Sequence, residues 1–111
     1  MDRGDIYLVS RPTDAGQEGG APRPVLVVTP ARFNRVTRTP VVLPIASLES
    51  AARTAGFAVM LEGTGAMTPG VIRCDQPRAI DFSVGEPQRI ERAPLAVMDE
   101  VMAKLVAILN V

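Results

Sequence analysis

Apolar positions along the chain fall into short runs broken by proline and glycine, and only after residue 93 do they switch to a helical period. Residues 5–10 (Asp-Ile-Tyr-Leu-Val-Ser) predict a first strand, because β-branched and aromatic side chains suit a pleated, half-buried surface. Residues 24–29 form a continuous apolar run, short enough for a strand buried on both faces. Residues 40–46 predict a third strand, 56–62 a fourth and 71–75 a central fifth. Residues 88–92 alternate and predict a last strand with one wet face. Then Met98, Val101, Met102, Leu105, Ile108 and Leu109 recur at helical spacing, with Asp99, Glu100 and Lys104 opposite. Pro94 suits the first helical position, and the methionines suit core or dimer packing.

The connections differ in character. Residues 11–22 carry Pro12, Gly16, Gly19, Gly20 and Pro22, which predicts a long mobile loop. Residues 30–35 predict a helical turn that gathers Arg32, Arg35 and Arg38, three apart, into a basic cluster. That cluster is equally a solvated face or a phosphate contact. Residues 47–54 read as a polar loop and 63–69 as a turn. Short antiparallel strands ending in one helix predict a mainly β (α+β) chain, a small partly open barrel, as one domain over residues 1–111.

Composition narrows the chemistry. An apolar fraction of 47% excludes a disordered chain, and with one Tyr, three Phe and no Trp the core must be aliphatic. Twelve cations balance twelve anions, so net charge points to no nucleic acid; eleven of the cations are Arg, a bias that GC-rich coding would also produce. No apolar run approaches the length of a membrane span, and the chain starts without the apolar region of a signal peptide. The single cysteine, Cys74, allows no internal disulfide and fits a reducing cytoplasm. The chain has no histidine, so the usual base near neutral pH is missing and a nitrogen-and-sulfur zinc site has no ligands. A hard cation held by carboxylates stays open, although no EF-hand or Walker spacing occurs.

Chemistry concentrates in residues 70–81. Alternation along a strand points Arg73 and Asp75 one way and Ile72, Cys74 and Gln76 the other, and Pro77 ends the regular pairing. A cation and a carboxylate so placed form either a surface ion pair, worth little, or a pair that touches one small anionic substrate. Spacing alone favours the ion pair.

Five blocks carry a resemblance. Arg3-Gly4-Asp5-Ile6-Tyr7-Leu8-Val9, Arg23-Pro24-Val25-Leu26-Val27-Val28, Phe33-Asn34-Arg35-Val36-Thr37, Ala52-Arg53-Thr54-Ala55-Gly56-Phe57-Ala58-Val59 and Gly70-Val71-Ile72-Arg73-Cys74-Asp75-Gln76-Pro77-Arg78 resemble, in order and spacing, the PemK/Kid/MazF toxins of bacterial toxin–antitoxin modules. The resemblance implies an SH3-like barrel of the CcdB/PemK kind, a homodimer, and a sequence-specific endoribonuclease that needs no metal or other cofactor. Such toxins cut single-stranded RNA through attack of the 2′-hydroxyl on the adjacent phosphate, leaving a cyclic phosphate, and so block translation. It further implies a cognate antitoxin of the PemI/Kis/MazE kind with an acidic flexible tail, and operator DNA binding only through that antitoxin.

Carried over by position, Asp75 is the base and Arg73 faces the phosphate. The family account makes that arginine the acid; a guanidinium hardly deprotonates, so an electrostatic role suits it better. Arg23 matches the arginine of an Arg-Pro motif and would be a second phosphate contact. Gln17, Ala46, Ser47, Arg53, Ala55, Phe57, Thr68, Val71 and Arg78 match positions expected near the RNA. Phe57 would stack a base or pack in the core.

Departures from the family cluster in the same places. Gln17 stands where the family has histidine, Ala46 where it has threonine, and Leu48-Glu49-Ser50-Ala51 replaces Gly-Gly-Asn-Phe. Losing one positioned acid–base group typically costs ~10²–10⁴-fold in rate. Two alternatives therefore stand beside an active nuclease. One is a toxin of impaired catalysis that serves as an antitoxin-binding, operon-regulating subunit. The other is a gyrase poison of the CcdB kind, disfavoured because the chain end lacks the aromatic residue that poison uses.

Overall fold

The computed structural model describes residues 1–10, 22–49, 56–83 and 85–110. Its elements in chain order are β1 (Asp5–Val9), β2 (Arg23–Val27), α1 (Ala31–Thr37), β3 (Val41–Ala46), β4 (Ala58–Met60), β5 (Val71–Arg73), β6 (Arg78–Ala79), β7 (Gln88–Arg92) and α2 (Leu95–Leu109). All pairings are antiparallel, in the order β4-β5-β3-β2-β1-β7, with β6 also on β3. Among the described residues β4 and β7 form the two ends of this path and share no ladder, so the sheet stays open. The expected mainly β fold with a C-terminal helix is the one observed.

Strand β3 sits at the centre and takes β2 on one edge and both β5 and β6 on the other. Which edge each residue serves follows from two bonds. Val28 N donates to Val41 O on the β2 side, and Ile80 N donates to Pro40 O on the β6 side. Alternation then turns the backbone of residues 42, 44 and 46 toward β5 and β6. Pro44 has no N–H to offer there. The ladder on that edge breaks at this position: β5 pairs with Ile45 and Ala46, β6 with Val41 and Val42, and residues 74–77 bow outward between them. A concavity is left beside Pro44.

Burial follows the strand pattern. Leu26 and Val28 point into the main cluster, while Val25 and Val27 point into a smaller one with Val9 and Val42. Strand β2 is thus buried on both faces, as its unbroken apolar run predicts. Helix α2 closes the main cluster with Val97, Met98, Val101 and Leu105. Tyr7 and Phe82 cover the smaller one, their rings edge to face at 5.5 Å.

Several expectations shift. Leu109 is exposed, whereas Met102 and Ile108 pack against the core from the side. Lys104 is not on the wet face: its Nζ donates to Ala58 O at 2.8 Å and blunts the β4 edge. Pro94 is the N-cap of α2 and not its first helical residue. The fourth strand shrinks to three residues between exposed turns, and the central strand ends at Arg73, four residues before Pro77. The short β6 carries no sequence signal. Alternation in β7 fails because a bulge opposite Ile6 and Tyr7 skips Ile90. Glu91 then reaches the Met67 and Thr68 amides and the Thr68 hydroxyl. Residues 11–21 of the loop expected at 11–22, and residues 50–54 of the one expected at 47–54, lie outside the described residues.

The start of the chain is pinned by polar groups. Asp2 accepts from Ala31 N at 2.9 Å, capping α1 where Pro30 has no side-chain acceptor. That amide, with the Arg3 amide, holds the Asp2 carboxyl below its usual range. Buried Asn34 donates to Met1 O and Thr29 O and accepts from the Thr29 hydroxyl.

Gly70 fixes the approach of β5 to β3. Its φ is +119°, and a Cβ there would run into the Ala46 carbonyl. Gly63 also has positive φ but faces open space. Gly63→Ala should therefore cost about 1–2 kcal/mol, the strain of a side chain at positive φ. Gly70→Ala adds an overlap with backbone and should cost about 2–5 kcal/mol. Urea unfolding of both variants checks this, and equal losses would remove the claimed contact.

Candidate functional site

The concavity beside Pro44 has a volume of about 230 Å³. Three arginines line it, each from a different element: Arg23 opens β2, Arg73 closes β5 and Arg78 opens β6. Val25, Val42, Pro44, Ile45 and Ile80 supply apolar wall, and no acidic residue lines it among the described residues. The opened ladder places these guanidiniums together, since β5 and β6 would otherwise run on as one strand.

Arg73 and Asp75 form a bidentate pair, Nε to Oδ1 at 3.1 Å and Nη2 to Oδ2 at 2.9 Å. The strand has ended by Asp75, and a turn brings the two groups edge to edge. The hydrogen bond from Arg73 holds the Asp75 carboxyl below the usual carboxylate range, and the same bond raises Arg73. Two of the five guanidinium N–H bonds are used in this contact. The remaining three, both on Nη1 and one on Nη2, can meet an anion without breaking the pair.

Cys74, between them in sequence, turns the opposite way and is fully buried. Burial pushes its thiol up to about 11, with Lys104 opposing only in part, so it is no nucleophile near neutrality. Gln76 departs from simple alternation. The turn carries it back to the Arg73 side, where it lines the cavity. Its N–H donates to Arg73 O at 3.3 Å.

The other expected positions divide. Ala46 lines the cavity and Ser47 follows it on the surface. Phe57 is 46% exposed, beside Ala58, which pairs with Arg73; it is free to stack and is not core. Val71 is wholly buried, so its side chain cannot touch RNA in this structure. Thr68 is 7% exposed and its hydroxyl is bonded to Glu91, which makes it structural. Burial raises Glu91, but the Thr68 hydroxyl and the Met67 and Thr68 amides outweigh it and keep the carboxyl below its usual range. Gln17, Arg53 and Ala55 lie outside the described residues. Arg32, Arg35 and Arg38 are exposed and meet no carboxylate among the described residues, away from the cavity wall. Gln76 and the apolar wall were not legible as site residues, because strand alternation assigns Gln76 to the other face.

Among the described residues no group of three or more His, Cys, Asp or Glu is placed to hold a metal ion. Nor, among the described residues, is any helix long and apolar enough to cross a membrane. What the cavity can do is hold a phosphate: a rim of guanidiniums, one steered by a carboxylate, around an apolar floor.

Known proteins share the sequence and the fold. The chain is 56% identical over 110 residues to Endoribonuclease PemK from Escherichia coli, covering 99% of this chain and 83% of that one. It is 35% identical over 111 residues to Endoribonuclease toxin ChpB from Escherichia coli strain K12, covering 99% and 95%. Its fold is similar to that in a crystal structure of MazE–MazF from Deinococcus radiodurans, with a TM-score of 0.81, 28% identity, and 99% and 96% of the two chains covered. The family profile that matches, across residues 2–109, is described as the PemK-like, MazF-like toxin of type II toxin–antitoxin systems, and this chain belongs to that family.

Proposed function

We propose that this chain is the toxin of a type II toxin–antitoxin module and acts as an endoribonuclease, cutting single-stranded RNA at the cavity beside Pro44. The observation that carries the reading is the convergence of Arg23, Arg73 and Arg78 on one concavity, with the Arg73–Asp75 fork at its edge. Family membership and the PemK and ChpB relatives support the activity.

In-line attack of a ribose 2′-oxygen on the adjacent phosphorus forms one P–O bond and breaks another, releasing the 5′-oxygen and leaving a 2′,3′-cyclic phosphate. Negative charge gathers on the non-bridging oxygens as the phosphorane forms. Arg73 meets that charge with its three remaining N–H groups, and Arg23 and Arg78 hold the same or a neighbouring phosphate. Preorganised donors of this kind commonly contribute ~10²–10³-fold in rate. Asp75 keeps Arg73 oriented and stays a carboxylate at neutral pH, ready to take the 2′-proton. The bond from Arg73 makes Asp75 a weaker base, which places more of the proposed catalysis on electrostatic stabilisation. The departing 5′-oxygen takes its proton from solvent or from the acid formed on Asp75.

The partner is an antitoxin, as in the MazE–MazF complexes of the same fold. An acidic flexible tail that occupies the arginine cavity would shut off cleavage by competing with phosphate. The chain works as a homodimer in the cytoplasm, and it reaches operator DNA only through the antitoxin.

Arg73→Ala should lower cleavage of single-stranded RNA by at least ~100-fold. Its unfolding free energy should change by only about 1–2 kcal/mol, because Asp75 reaches solvent although the Arg73 side chain is only 16% exposed. A large stability loss with cleavage intact would remove Arg73 from the site. The family substitutions give a second test. Gln17→His with Ala46→Thr should raise cleavage at least about tenfold, within the span of one acid–base group. The double variant should also gain a limb in its pH profile near about 6.5, the histidine range, which the histidine-free parent lacks. An unchanged rate and profile would mean that Arg73, Asp75 and Arg23 carry the reaction without those groups.

A further inference from the structure

The cavity's arginines account for a phosphate, but they leave its apolar wall and Gln76 without a task. Pro44 and Ile80 form a hydrophobic surface behind the guanidiniums, which a phosphate does not need. Gln76 lines the same space, partly buried, and among the described residues its carboxamide bonds to nothing. Its backbone N–H on Arg73 O holds it on the cavity side, so the side chain is presented next to the arginine proposed to bind the scissile phosphate.

We propose that this wall and Gln76 form a subsite for one nucleobase next to the cut, and that Gln76 is a base-reading residue. The inference rests on the endoribonuclease reading above. Three points favour a base over a second phosphate. The group is neutral, and a phosphate in low-dielectric surroundings would select a cation instead. A carboxamide presents one donor and one acceptor side by side, the pattern that pairs with the edge of a splayed base. Apolar side chains and proline offer the flat contact that a base face needs and a phosphate cannot use. Size agrees: about 230 Å³ lies below the ~300–1,000 Å³ of pockets for drug-sized ligands, which suits one planar ring and not a stack. The rim arginines then fix the backbone while Gln76 reads the sequence, a division of labour general to nucleic-acid recognition.

Two variants test this. Gln76→Glu keeps an acceptor and loses the donor pair, whereas Gln76→Leu keeps the size and loses both. Each is cleaved against a pool of single-stranded RNA randomised over the cut region, with the cut sites sequenced. The subsite predicts that base preference changes at one position only. Cleavage of the motif preferred by the parent should fall about 5- to 150-fold, the worth of one bidentate base contact. Melting temperature should stay within a few degrees, since among the described residues the side chain holds no hydrogen bond. Unchanged preference, or an equal rate loss at every site, overturns the proposal. Binding gives an arm independent of catalysis. Fluorescent RNA with a 2′-deoxy ribose at the cut cannot be cleaved, and the parent should discriminate single-base variants of it at the position that Gln76→Leu no longer distinguishes. Absence of discrimination by the parent overturns the base subsite even if it cleaves. Discrimination without any cleavage upholds the subsite and fails the nuclease reading.

Discussion

The missing N–H of Pro44 is the constraint on which this molecule's arginine-lined cavity depends. Strand β3 pairs with β2 through residues 42–44, whereas on the other edge its ladder passes from β6 at residues 41 and 42 to β5 at residues 45 and 46 and is interrupted at Pro44. The chain after β5 has to leave the sheet there and return as β6. That detour creates the cavity, turns Asp75 against Arg73, and brings Gln76 and Arg78 round to face Arg23. Before the detour, Gly70 lets β5 dock on β3, since a Cβ there would run into the Ala46 carbonyl. The charged groups are thus placed by backbone chemistry, and the aliphatic core beneath them supplies stiffness.

Within that frame the Arg73–Asp75 fork reconciles two demands. Three arginines converging on one cavity repel each other, and an exposed guanidinium on a long side chain would wander. A bidentate carboxylate fixes the orientation of one of them while leaving most of its donors for a ligand. The cost is a weaker base, because the bond that orients Arg73 also lowers the pKa of Asp75. For phosphoryl chemistry that compromise is favourable: charge stabilisation contributes more than proton abstraction.

Much of this could be read from sequence. The apolar runs at β1, β2 and β3 and the helical period of α2 come from burial, which leaves a direct signature in residue type. The bounds of β7 were legible because its residues alternate, although the bulge at Ile90 was not. Arg73, Asp75, Arg23 and Arg78 were found through their resemblance to a toxin family; spacing alone favoured a plain ion pair, and an ion pair is indeed what the free protein contains. Val71 and Thr68, expected near RNA, have buried side chains, and the Thr68 hydroxyl is bonded to Glu91. Gln76 was put on the wrong face. Alternation holds only while a strand lasts, and this strand stops at Arg73 for a reason seated in β3, about thirty residues earlier.

All of these roles depend on RNA being held by its phosphate in the cavity beside Pro44. A crystal structure of the protein with a short RNA bearing one 2′-deoxy ribose at the cut is the direct test. The expected result is a phosphate within hydrogen-bond distance of Arg73 Nη1 and of Arg23 or Arg78, with the Arg73–Asp75 fork still closed and one base against Pro44 and Ile80. RNA seated on another face with the cavity unfilled, or Arg73 pulled away from both phosphate and Asp75, would contradict it.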